Sequence, residues 1–161
     1  MKKLLFIIIL LIPSICYGQK IDENQIDDFT NEQLLTTSWE KLGPNFTNVV
    51  LFRFRYENKV KYFELVYKNG VNDIVPANHA IEFKTSDGVH ELSNSQTAIV
   101  HSSGETDILR YVGDLDFFKN TQVEKIRIHF GEGYDDFQIK DNKRKTIIGK
   151  AYKIFIDNIK Q

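Results

Sequence analysis

The stretch VVLFRFRYENKVKYFELVY, residues 49–67, alternates apolar and polar side chains strictly enough to dictate two β-strands folded back on each other. Pairing Phe54 with Phe63 and Phe52 with Leu65 gathers Val50, Phe52, Phe54, Phe63, Leu65 and Tyr67 on one face. The same register sets Arg53 opposite Glu64 and Arg55 opposite Tyr62 on the other face. A slip of one residue would oppose aromatic rings to lysines along the whole ladder, so the turn falls near Asn58, which tolerates positive φ. One face is then dry and the other wet, as in antiparallel sheet.

Further segments repeat the pattern. In IEFKTSDGVHEL, residues 81–92, the Asp87-Gly88 pair predicts a two-residue turn that matches Phe83 with Leu92 and Lys84 with Glu91. A third hairpin is expected between QTAIVHS and DILRYV, turning around SSGET. In VEKIRIHFGEGYDDFQI, residues 123–139, a four-residue GEGY turn would pair Ile128 with Phe137 and Ile126 with Ile139, with His129 opposite Asp136 on the outside. Between these, Asp114 is placed to cap a short helix from which Phe117 or Phe118 enters the core.

The last segment spaces Ile147, Ile148, Ala151, Ile154, Phe155 and Ile159 at intervals of three and four, which predicts an amphipathic helix over 141–159. Gly149 weakens its helical propensity by about 1 kcal/mol relative to alanine, so packing on the sheet must hold it. The fold expected is mainly β: a single-domain antiparallel β-sandwich or open barrel of about eight or nine strands with a packed C-terminal amphipathic α-helix. This domain spans residues 34–161, and the polar segment 19–33 before it reads as a tether or an edge element.

The N-terminus sets the expected location. Lys2 and Lys3 precede an apolar run from Leu4 to Ile15 and a small residue, Gly18, which is the layout of a secretory signal peptide over residues 1–18. That run is shorter than the ~20 residues a membrane-spanning helix needs, so no transmembrane segment is expected after cleavage. Lipidation at Cys16, as in a bacterial lipoprotein, is disfavoured because Ile15 stands where that processing wants a small residue. The expected destination is the periplasm, the outer surface or the extracellular medium. With the leader removed no cysteine remains, and a hydrophobic core must replace disulfides.

The chemistry-bearing residues are sparse. His79, His90, His101 and His129 never stand at the close spacings that place ligands on one face, so no metal and no cofactor are expected. His129 with Asp136 is the best candidate catalytic pair, but no serine or threonine in that hairpin is placed as its nucleophile. Gly131 and Gly133 flank an acidic residue between two strands and read as a turn, not a phosphate cradle. The pairs Asp114 with Asp116 and Asp135 with Asp136 follow no EF-hand spacing.

Charge is segregated. Residues 140–161 carry seven lysines and arginines against Asp141 and Asp157, a net of +5, in a chain whose formal net charge is −1. Lys143, Lys150 and Lys153 are therefore candidates for a surface facing an anionic membrane or an acidic partner; the plainer reading is a helix buried on one side and solvated on the other. Nucleic acid is excluded as a partner for an exported, acidic domain. Arg53, Arg55, Tyr62 and Glu64, on the wet face of the first hairpin, form a candidate glycan-binding surface.

These readings add up to an exported, noncatalytic binding or accessory domain whose partner is a protein or glycan of the cell envelope. The alternatives are a small secreted hydrolase built on His129 and Asp136, and a secreted inhibitor or interaction protein that presents one of its hairpin turns.

Overall fold

A computed structural model of the chain describes residues 20–42, 49–68, 72–101 and 107–160. The expected signal segment 1–18 with Cys16, and the turn expected at SSGET, lie outside the described residues.

Among the described residues twelve strands form: β1 (Ile21–Ile26), β2 (Gln33–Thr37), β3 (Glu40–Lys41), β4 (Val49–Glu57), β5 (Val60–Lys68), β6 (Asp73–Val75), β7 (Ala80–Thr85), β8 (Gly88–Asn94), β9 (Ala98–Val100), β10 (Leu109–Val112), β11 (Val123–His129) and β12 (Tyr134–Gln138). A 3₁₀ turn over Asp116–Lys119 precedes β11, and the chain ends in α1 (Asn142–Lys145) and α2 (Ile147–Asp157). Ten strands make one antiparallel sheet in the order β1-β2-β4-β5-β10-β8-β7-β11-β12, with β3 also on β4, while β6 and β9 pair separately. The sheet does not close into a barrel.

It nevertheless curls tightly around its apolar face. The rings of Phe63 in β5 and Phe83 in β7 lie 5.2 Å apart although β10 and β8 run between those strands. In a flat sheet, three strand steps would separate them by about 14 Å. The Tyr67 hydroxyl in β5 also reaches Asp135 Oδ2 in β12 at 2.9 Å, across four intervening strands. Burial raises the Tyr67 phenol well above its ordinary range, and the Asp135 carboxylate adds to the effect. The phenol is held as a neutral donor.

The first hairpin folds in the register its alternation dictates: Phe54 faces Phe63, Phe52 faces Leu65, Arg53 faces Glu64 and Arg55 faces Tyr62. Asn58 and Lys59 carry the turn at φ 51° and 63°. The other hairpins depart from expectation. Phe83 faces His90, not Leu92, and Lys84 faces Val89, because the turn is Ser86-Asp87. Thr85 Oγ1 fixes that turn at 2.5 Å from Asp87 Oδ1 and 3.0 Å from the Gly88 carbonyl. His90 gains a partner by it, stacking on Phe117 at 4.3 Å.

β11 and β12 slip in the same sense. The Phe130 amide donates to the Gly133 carbonyl at 3.0 Å, which makes Gly131-Glu132 the turn in place of GEGY. Ile126 thus faces Phe137, and His129 faces Tyr134 and not Asp136. Nor do β9 and β10 form a hairpin: β9 pairs with β6, whereas β10 inserts between β5 and β8.

The C-terminal helix docks beside β2 and β4 on the core side, together with the 3₁₀ turn. It breaks at Thr146, whose hydroxyl donates to the Lys143 carbonyl at 3.0 Å; Asp141 caps its start by accepting from the Lys143 amide at 2.8 Å. Ile148, Ala151, Tyr152 and Phe155 are buried, whereas Ile147, Ile154 and Ile159 are only half-buried. From the 3₁₀ turn Phe118 plugs the core completely, and the Asp114 side chain braces that turn by accepting from the Asp116 amide at 2.9 Å.

Gly149 has a positional reason. A Cβ there would stand 2.8 Å from the Phe118 carbonyl oxygen and 3.4 Å from that of Thr121. Gly149→Ala is therefore expected to destabilise the protein: the overpacking penalty of roughly 1–3 kcal/mol against immovable backbone exceeds the propensity gain of about 1 kcal/mol. Chemical denaturation checks the sign, and a more stable variant would show that the helix does not depend on this close approach.

Candidate functional site

The wet face of the sheet carries the candidate site across β4, β5 and β10. Arg53, Glu64 and Arg110 stand in register on these neighbouring strands. Their side chains meet as a triad, with Arg53 Nε 2.5 Å from Glu64 Oε2 and Arg110 Nε 2.8 Å from Glu64 Oε1. The Glu64 side chain has no exposed surface, while Arg53 and Arg110 remain 14% and 30% exposed. Two arginines thus cover one carboxylate and keep an edge in water. Each uses Nε, and neither closes the bidentate fork that Arg55 makes with Glu57 through Nε at 3.0 Å and Nη2 at 2.8 Å. That fork lowers the Glu57 carboxyl pKa and raises that of Arg55.

Trp39, in the short link between β2 and β3, completes the surface, with the Arg53 guanidinium carbon 4.5 Å from its ring centre. Tyr62 stands across from Arg55 and is half-exposed. All four residues expected on this face are therefore brought together, and the structure adds Trp39 and Arg110. Glu57 closes on Arg55, on which Glu23 also acts through space, so the guanidinium edges left part-exposed beside Glu64 are those of Arg53 and Arg110.

The candidate catalytic pair comes apart. His129 Nε2 lies 2.7 Å from Glu82 Oε1 on β7, and Asp136 is held by Arg127 Nε at 2.8 Å and Lys125 Nζ at 2.5 Å. Arg127 in turn lies over the Tyr134 ring at 4.0 Å. Hydrogen bonds from Arg127 and then Lys125 pull the Asp136 carboxyl down to about 2, far from a general base for neutral pH. A carboxyl depressed in the folded state stabilises above its unfolded value near 3.8, and that contribution disappears as pH falls through about 2. Asp136→Asn is thus expected to flatten the loss of stability between pH 4 and pH 2, read by acid unfolding; an unchanged acid limb would show the cross-strand cluster to be idle.

The remaining candidates have structural settings. Lys150 and Lys153 are exposed on the side of α2 away from its buried stripe, and Lys143 is exposed on α1. Asp116 accepts from Tyr152 Oη at 2.7 Å and Lys119 Nζ at 2.8 Å, apart from the Asp135 and Asp136 pair. Among the described residues, no three His, Cys, Asp or Glu side chains gather as metal ligands. No helix among them is long and apolar enough to cross a membrane.

Fold and site together define a mainly β domain, an open ten-stranded antiparallel sheet with one packed helix, that displays an arginine and aromatic cluster on its outer face. No known protein family matches the chain, and neither a curated protein nor a solved structure is detectably similar to it.

Proposed function

We propose that the protein is an exported, noncatalytic binding module that takes an acidic glycan on the outer face of β4, β5 and β10. One observation carries this reading: two part-exposed arginines share a single buried carboxylate beside Trp39 and Tyr62. An arginine edge suits a carboxylate or sulfate, and the aromatic rings suit the C–H faces of a sugar. The separation of His129 from Asp136 favours binding over hydrolysis.

The test uses polygalacturonate and its methyl ester, which differ in charge but not in backbone. Titration calorimetry is expected to show binding to the acid form alone, weakening as salt rises. Arg110→Ala, which leaves Arg53 on Glu64, is expected to lower that affinity about tenfold or more. Equal binding of acid and ester, or an unaffected Arg110→Ala variant, would contradict the proposal.

A further inference from the structure

The tip of the β1–β2 hairpin holds an aromatic ring out in water. Phe29 is 99% exposed, more than any other large apolar side chain among the described residues. The turn beneath it is well braced. Asp27 Oδ1 accepts from the Phe29 and Thr30 amides, both at 2.8 Å. The Asn31 amide donates to the Asp27 carbonyl at 2.8 Å, and the Asp27 amide donates to the Glu32 carbonyl at 2.9 Å. Asn31 supplies the φ of 56° that the turn needs. Four hydrogen bonds therefore fix the backbone beneath a ring that gains nothing from its own fold.

Beside the same hairpin lies a cavity of about 450 Å³, walled by Ile26 and Tyr56 and bordered by Asn31, Glu32, Lys59 and Lys160. That volume is within the roughly 300–1,000 Å³ of sites that enclose small organic molecules, so a phenyl ring and its neighbours fit. Its charged lining is two lysines against one glutamate, whereas the tip brings Asp27 and Asp28 next to Phe29. The cavity is large enough for the ring, its lysines oppose the aspartates of the tip in charge, and it borders the hairpin that carries Phe29.

From this complementarity we infer that two copies of the chain dock reciprocally, each placing Phe29 in the other's cavity with Asp28 toward Lys59 and Lys160. Because Ile26, Asn31 and Glu32 line the cavity while Phe29 caps the same turn, one two-fold axis satisfies both insertions and closes the assembly as a dimer. Phe29 is the aromatic anchor of that contact.

Sedimentation velocity over a concentration series of the exported chain tests the inference. The wild type is expected to pass from one copy to two as concentration rises. Phe29→Ser, at a position with no packing to lose, is expected to raise the dimer dissociation constant by about 30-fold or more, with an unchanged melting temperature at concentrations where both proteins are monomeric. Lys59→Asp is expected to weaken the dimer, and Asp28→Lys combined with Lys59→Asp to restore it. A wild type that stays monomeric throughout, a Phe29→Ser variant that dimerises as well as wild type, or a monomer whose Phe29 instead inserts into phosphatidylglycerol vesicles would each overturn it.

Discussion

Replacing Phe54 with alanine is expected to lower the stability of the protein by about 3–5 kcal/mol, the range for deleting a large buried aromatic side chain. Phe54 joins three layers of the core. Its ring centre lies 5.6 Å from that of Phe63 on β5, 5.6 Å from Phe118 in the 3₁₀ turn, and 5.1 and 5.5 Å from Tyr152 and Phe155 on α2. The site has little room to relax, because Phe52, Phe63, Phe118, Tyr152 and Phe155 are themselves fully buried and packed on one another. The hydrogen bond from the Phe54 amide to Thr37 Oγ1 at 2.9 Å survives the substitution, so the loss reports side-chain packing alone. Against the ~5–15 kcal/mol that holds an ordinary domain together, this is a large fraction. Urea unfolding followed by circular dichroism measures it; a loss under about 1 kcal/mol would mean that the helix and sheet do not share one core.

The second large effect belongs to Glu64. Glu64→Ala is expected to destabilise by about 3 kcal/mol, since it removes two charge-assisted hydrogen bonds and leaves two guanidiniums facing each other. The figure sits at the low end for a broken buried ion pair because Arg53 and Arg110 are partly exposed and recover some solvation. A double-mutant cycle of Glu64→Ala with Arg110→Ala separates the pairwise contribution from the cost of the lost side chains. Coupling near zero would reduce the triad to surface decoration.

The two hairpins that slipped show how far a pattern of apolar residues can reach. Because side chains alternate with period two, moving a register by two residues returns every residue to its own face. Phe83 and Leu92 both reach the core, as their alternation predicts, although they do not face each other. Only turn chemistry distinguishes the two registers, and Gly88 at φ 146° begins its strand beyond the Ser86-Asp87 turn. In the first hairpin opposite charges, paired aromatics and Asn58 all favour one register, and that one formed.

Arg53, Arg55, Tyr62 and Glu64 were legible for the same reason, since a single local hairpin positions them. Arg110 was not, because its partner Glu64 lies 46 residues away on a strand with which a four-residue segment pairs only through the tertiary fold. Trp39 lies outside regular alternation, between β2 and β3. Tyr152 was missed in the helix because tyrosine carries a polar end; here its body is buried and that end is taken by Asp116. The loss of the His129 and Asp136 pair follows directly from the two-residue slip.

The central claim, that the outer face of β4, β5 and β10 is the binding surface, is tested most directly by mapping the contact of a galacturonate oligomer with amide and side-chain NMR shifts. The expected changes cluster at the Trp39 indole, Arg53, Tyr62 and Arg110 and saturate together. Shifts confined to Lys143, Lys150 and Lys153 on the helix, or none at all, would contradict the account.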